Sequence, residues 1–179
     1  MNKRYIMTAF GVDRVGIVAD VTRLLYENSC NLEDTTMNLL VDEFTLSMLF
    51  SSADEDVIDN LSRDCRRLEM EKGISAFIRP LSDRNGEVAP KYNKCTLQIE
   101  GLDQAGIVYK TSQFLTDNKL NILNLNSTSK PSPQSGSTIY NMDIEVEMPA
   151  GLSIAQLEED LVTVADDLQL DIHLTNQGH

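Results

Sequence analysis

The stretch GVDRVGIVADV, residues 11–21, returns as GLDQAGIVYKT at residues 101–111. Gly11, Asp13, Gly16, Ile17 and Val18 recur as Gly101, Asp103, Gly106, Ile107 and Val108, each displaced by 90 positions. The displacement persists downstream, where Val21, Leu24 and Leu25 become Thr111, Phe114 and Leu115, and Asn31-Leu32 becomes Asn121-Ile122. A single copy would read as an ordinary strand-to-helix turn, with Gly11 supplying unusual backbone angles and Asp13 capping the helix. Two copies at a fixed spacing make the chain an internal duplication.

Two glycines five positions apart begin a phosphate-binding loop, but that loop needs Lys and then Ser or Thr after the second glycine. Ile17 and Val18 stand there instead. A dinucleotide fingerprint needs glycines at its first, third and sixth places, and here Asp13 would repel a pyrophosphate from the third. The first reading fails for want of the Lys and the hydroxyl, the second on spacing and on charge.

Working outward, Ile17, Val18, Val21, Leu24 and Leu25 have the spacing of one apolar helical face, as do Ile107, Val108, Phe114 and Leu115. Tyr5, Met7 and Ala9 before the first helix alternate with polar positions, and Cys95, Leu97 and Ile99 do so before the second, which is the period of a half-buried strand. Beyond Asn31, LEDTTMNLLV and FTLSMLF read as a hairpin turning at Asp42-Glu43. In the second copy the returning strand, Tyr140, Met142, Ile144 and Val146, is displaced by 96, because Lys130 to Gly136 lengthens the connection with loop-forming residues. The same offset carries Ile58, Leu61, Cys65 and Leu68 onto Ile154, Leu157, Leu161 and Val164, a second helix with Asp54 and Ser153 as N-caps. A last short strand follows at Ile74, Ala76 and Ile78, and at Leu170, Ile172 and Leu174.

Each half thus reads βαββαβ. The predicted class is α+β, two ferredoxin-like domains, each an antiparallel four-stranded sheet with two helices on one face. The expected boundaries are a first domain over 1–81, a polar Gly- and Pro-containing linker over 82–91, and a second domain over 92–179. Domains of this size bury a modest fraction of their surface, so pairing two copies helps to cover exposed sheet edges, and the duplication supplies that partner within the chain; a homo-oligomer is expected as well.

Composition narrows the function. The formal charge of −13 is shared by both halves, −6 over residues 1–90 and −7 over 91–179, and repels nucleic acid over the whole molecule. No apolar stretch reaches the length of a membrane span, and the N-terminal residues lack a secretory apolar core, so a cytoplasmic protein is expected. Cys30, Cys65 and Cys95 are odd in number and widely spaced, which fits free buried or half-buried thiols rather than disulfides or zinc. His173 falls on the polar side of an alternating segment and His179 is terminal. No metal or cofactor is expected.

The repeated turn presents unpaired backbone N–H groups at the positive end of a helix dipole, an anion site that needs no basic side chain. It suits one carboxylate better than a triphosphate. Asn31 and Asn121, at the far end of the helix, offer an amide oxygen to an ammonium group, and carboxylate with ammonium describes an amino acid. The same residues have plain structural readings: Asp13 and Asp103 as caps, Gly16 and Gly106 as packing glycines, Asn31 and Asn121 as holders of a left-handed turn.

Gly-x-Asp-x-x-Gly-Ile-Val before an amphipathic helix, with Asn and an apolar residue opening the next strand, resembles the ACT domain. Two such domains with little else resemble the glycine cleavage system transcriptional repressor family. The resemblance spans roughly 4–80 and 94–176. It implies amino-acid binding at an interface between domains, through Asp13, Arg14, Val15, Gly16, Ile17, Asn31 and Leu32, and through Asp103, Gln104, Ala105, Gly106, Ile107, Asn121 and Ile122. It further implies glycine or another small amino acid as effector and a DNA-binding transcriptional activator as protein partner.

Three classes of function stand against these residues: an amino-acid-sensing regulator acting through a protein, a ligand-independent dimerisation module of the same fold, and an enzyme. Acyl phosphate hydrolysis on a ferredoxin-like fold needs a phosphate-gripping Arg, and residues 91–179 contain none, so the enzyme reading is set aside. The purified chain is expected to leave duplex DNA unretarded in a gel-shift assay at physiological salt; sequence-selective retardation would contradict it.

Overall fold

A computed structural model of the protein describes residues 2–81, 92–133, 136–149 and 151–176. The chain divides into two compact units, one within residues 1–86 and one within 87–179. The expected linker at 82–91 and His179 lie outside the described residues.

In the first unit β1 (Lys3–Val12) leads through the glycine turn to α1 (Ile17–Glu27), then β2 (Asn31–Leu40), β3 (Glu43–Ser52), α2 (Val57–Lys72) and β4 (Ser75–Pro80). The second unit repeats the order with β5 (Tyr92–Leu102), α3 (Ile107–Asp117), β6 (Asn121–Pro131), β7 (Thr138–Pro149), α4 (Ile154–Leu168) and β8 (Leu170–Asn176). The sheets are β2-β3-β1-β4 and β6-β7-β5-β8, and every pairing is antiparallel. Both units are ferredoxin-like.

Alternation decides which face is covered. Tyr5, Met7 and Ala9 on β1 and Phe44, Leu46, Met48 and Phe50 on β3 lie in one core with Ile17, Val21, Leu24 and Leu25 of α1 and Leu61, Cys65 and Leu68 of α2. In the second unit Cys95, Leu97 and Ile99 of β5 and Met142, Ile144, Val146 and Met148 of β7 meet Ile107 and Leu115 of α3 and Leu157, Leu161 and Leu168 of α4. Each sheet buries one face beneath its helices, and among the described residues no element of its own unit covers the other. All three thiols are free, Cys65 and Cys95 buried and Cys30 half-buried, as their spacing predicts.

Several local expectations are corrected. Val18 and Val108 lie outside the apolar faces, 40% and 41% exposed, because Ile17 and Ile107 already point inward and the next residue rotates about 100° away. Asp54 does not cap α2. The N-cap is Asp56, and the Asp54 carboxylate accepts from the Asp56 N–H at 3.0 Å, one step upstream of the helix. Ser153 does cap α4, accepting from the Gln156 N–H. The first hairpin turns at Val41-Asp42, and Glu43 already belongs to β3. The loop expected from Lys130 begins later: Lys130 and Pro131 pair with Ile139 and Thr138, and the Ser132 N–H closes the turn on the Ser137 carbonyl at 2.8 Å. Pro131 is tolerated because β6 is an edge strand.

Gly101 owes its identity to close approach, and Gly11 to close approach together with its φ of 159°. A Cβ at Gly11 would lie 2.9 Å from the Gly73 carbonyl oxygen, and one at Gly101 would strike the Leu170 side chain and approach the Gln169 carbonyl at 3.2 Å. A backbone oxygen cannot swing aside as a side chain can. Gly11→Ala is therefore expected to lower stability by about 1–3 kcal/mol, read as an earlier urea midpoint. An unchanged midpoint would show that the start of β4 gives way freely.

Candidate functional site: the glycine-capped helix starts

Gly16 adopts φ 91°, ψ 0° at the N-cap of α1, and Gly106 adopts φ 98°, ψ −4° at the N-cap of α3. A Cβ at either position would meet nothing within 4 Å, so glycine is required by the left-handed backbone and not by packing against the sheet. Neither helix has a side-chain cap. Asp13 and Asp103 therefore do not cap, contrary to the plain reading of the sequence. Their own N–H groups anchor the loops instead, donating to the Asp42 carbonyl at 2.7 Å and the Thr138 carbonyl at 2.9 Å.

The backbone donors at the helix starts define the chemistry. The first regular helical bonds are Asp20 N–H to Gly16 and Lys110 N–H to Gly106, both at 2.9 Å. Upstream of them, Val18 and Ala19, like Val108 and Tyr109, have no acceptor within their helices. These N–H pairs sit at the positive end of the dipole beside the exposed loops 13–16 and 103–106. Val15 is wholly exposed, whereas the Ile17 and Ile107 side chains are buried in the cores, so those two residues can offer a ligand only their backbone.

The two starts differ in charge. Arg14 donates to the Asp20 carboxylate at 2.6 Å and to the Val15 carbonyl at 3.3 Å, which folds its guanidinium back over the first turn of α1. That hydrogen bond is the main reason the Asp20 carboxyl is held below its ordinary pKa. At the corresponding positions Gln104 donates to the Leu168 carbonyl at the end of α4, and Lys110 reaches Asp167 at 2.5 Å. Asp103 accepts from the Ser129 hydroxyl at 3.0 Å. The first loop folds its cation back on its own helix start; the second ties its polar side chains, and Lys110 of the first helical turn, to α4 and β6.

Asn31 and Asn121 do not join the loops of their own domains. Asn31 pairs with Ser51, which pairs with Arg4, whereas the loop leaves β1 at Val12. Eight residues of strand separate the two levels, roughly 26 Å. Both asparagines are exposed at the far end of the sheet, next to the exposed Leu32 and the half-buried Ile122, and Asn121 donates to Glu147 at 3.3 Å. Nor do they hold a left-handed turn: that conformation falls on Ser29 and Lys119. Asn28 and Asn118 close the helices, their side chains donating to the Leu24 and Phe114 carbonyls at 2.8 and 3.0 Å. These two share the spacing of 90, the signal that could have revealed them.

Among the described residues no group of three or more His, Cys, Asp or Glu could hold a metal ion, and no helix is long and apolar enough to cross a membrane. A depression of about 430 Å³ lies on the uncovered face of the second sheet, lined by Gln98, Glu100, Asp143, Asp171 and His173 among others. Its carboxylates disfavour an anionic ligand, and no loop residue lines it.

The ACT-domain sequence model matches residues 3–78. The chain belongs to the ACT-domain family. The second ACT-type unit lies beyond that match and shares the strand order of the first. The UPF0237 protein MK1213 of Methanopyrus kandleri is 31% identical over 77 residues, 42% of this chain and 86% of that protein. The glycine cleavage system transcriptional repressor of Escherichia coli K12 is similar along the tandem, 24% identical over 169 residues, covering 91% of this chain and 84% of the repressor. A crystal structure of a protein from Galdieria sulphuraria superposes with a TM-score of 0.83 at 27% identity, covering 99% of this chain and all of that one.

Cys65 and Cys95 lie in the cores on which these helix starts pack, and Cys30 lies against the first. Burial pushes the Cys65 thiol up to about 11 and raises Cys30 and Cys95 as well. Each folded-state pKa lies above its unfolded value, so the stabilising protonated form is fully present below the unfolded pKa and is lost as pH rises toward the folded one. Stability is expected to fall between about pH 9 and 11, and Cys65→Ala should flatten that fall. An identical alkaline profile in the variant would place the titration elsewhere.

Proposed function

We propose that this ACT-domain protein senses a small amino acid and regulates a protein partner. The observation that carries the reading is the duplicated strand-turn-helix, in which a left-handed glycine leaves the start of each helix without a side-chain cap. Such a start accepts a carboxylate through main-chain N–H groups, and exposed loops give it access. The lengthwise similarity to a transcriptional repressor of the glycine cleavage system supports glycine, or a close analogue such as serine, as effector. It also supports a DNA-binding activator as partner, since the charge of −13 argues against direct contact with DNA.

The sheet register bears on how one amino acid is held. A helix start and an asparagine of the same domain lie too far apart to grip a single small molecule, so within one domain the helix start holds the carboxylate without that asparagine. An effector that binds one conformation of the protein better than another couples its occupancy to partner affinity. No catalytic step is assigned. The raised thiol pKa values oppose a cysteine nucleophile, and Glu158-Glu159 on α4 is a solvated pair.

Calorimetric titration with glycine, serine and the other small amino acids tests the reading. Wild type is expected to bind at least one of them. Gly16→Val forces a β-branched residue to φ 91°, a strain of order 1–3 kcal/mol that should weaken binding about five- to a hundredfold in a variant whose circular dichroism is unchanged. Gly106→Val tests the second site alike. No heat with any amino acid would instead favour a ligand-independent dimerisation module.

A further inference from the structure

The uncovered faces of the two sheets are built on the same scaffold yet differ in chemistry. Paired antiparallel residues point to the same side, so the register defines each face. In the second unit Thr96, Gln98 and Glu100 of β5 lie beside Asn141, Asp143 and Glu145 of β7 and Asp171 and His173 of β8. That is a face dressed for water. The equivalent positions of the first unit are Ile6, Thr8 and Phe10 on β1, Thr45, Ser47 and Leu49 on β3, and Ser75 and Phe77 on β4. Phe10 and Phe77 stack at 6.1 Å between ring centroids, yet remain 42% and 66% exposed. The fold does not require apolar residues here, because its own second copy does without them.

One row across the first sheet identifies the occupant. Asp34 on β2 pairs with Leu49 on β3, Leu49 with Ile6 on β1, and Ile6 with Arg79 on β4. Across the four strands the row reads acid, apolar, apolar, base. Turned over by a twofold axis along the strands, it meets its own reverse: Asp34 faces Arg79, Leu49 faces Ile6, and the pattern is satisfied twice. Such reciprocity is the mark of an isologous contact. Arg4, at the edge of the face, is already paired with Glu33 at 2.8 Å. Arg79 and Asp34 make no ion pair among the described residues, and the Asp34 carboxylate accepts only the neighbouring Thr35 N–H, at 2.7 Å. The second unit's matching row, Asn124, Glu145, Thr96 and Thr175, has no such symmetry.

We infer that the uncovered sheet face of the first domain is a self-complementary interface that packs, strands aligned, against the same face of a second copy of this chain, with Asp34 paired to the other copy's Arg79. Sheets packed this way lie about 10 Å apart and rotated by about 30°, a displacement at the outer strands that the long Arg79 side chain spans. The next rows set Phe77 over Thr36 and Phe10 over Thr45, aromatic faces on threonine methyls. A four-stranded face of this length presents roughly 500 Å² in projection, toward the small end of specific interfaces, so association belongs in the micromolar range rather than the nanomolar. The inference does not depend on amino-acid binding.

Sedimentation velocity of the full chain, from micromolar to sub-millimolar concentration and without amino acids, tests it. Wild type is expected to shift reversibly from monomer to dimer. Asp34→Arg and Arg79→Asp should each weaken dimerisation by about tenfold or more, and the double reversal should restore it to near wild type, because each swapped pair is remade across the axis. Phe77→Ser, which leaves the charges alone, should weaken it comparably. These positions are exposed, so unchanged thermal unfolding of the monomer certifies the variants. A wild type that stays monomeric, single reversals that associate as wild type does, or a double reversal no better than the singles would each overturn the inference.

Discussion

The left-handed glycine between first strand and first helix is the constraint from which each domain is built. An extended strand must turn into a helix that packs back across the same sheet, and the reversal is made at one residue with φ near +90°, Gly16 or Gly106. The angle lets Ile17 and Ile107 enter the core at the first helical position and sets the phase of each inward face. It also leaves the helix start without a side-chain cap. Folding thereby leaves main-chain donors unpaired within the helix, beside an exposed loop.

Duplication makes the chain its own comparison. Shared features, such as the glycine angle, the asparagine that closes the first helix and the irregularity after Leu32 and Ile122 in the edge strands, belong to the fold. Features that differ point to separate tasks. Arg14 paired with Asp20 has become Gln104 tied to Leu168 with Lys110 on Asp167, so the first helix start pairs its cation within its own first turn and the second pairs its cation with α4. The uncovered sheet faces have diverged further, one half apolar and the other acidic.

The architecture was legible because it rests on periodicities and on a repeat. Alternation at Tyr5, Met7 and Ala9 and helical spacing at Val21, Leu24 and Leu25 report burial directly, and the second copy removes coincidence. Errors arose where geometry turns on one residue. Asp13 has a capping side chain at a plausible place, yet the cap falls three residues later on a glycine that needs none. Val18 shares Ile17's hydrophobicity but not its direction, since neighbours on a helix diverge by about 100°. The residue types of the candidate site were legible too, but their distribution was not: strand register alone places Asn31 at the opposite end of the sheet from the glycine loop.

The central claim is that the unpaired N–H groups at the two helix starts receive an amino acid's carboxylate. Backbone amide resonances followed by NMR during titration with glycine report on those groups individually. The account predicts that the largest shifts fall on Gly16 to Ala19, on Gly106 to Tyr109, or on both. Shifts confined to the acidic face around Glu100, Asp143 and Asp171, with the helix starts unmoved, would contradict it.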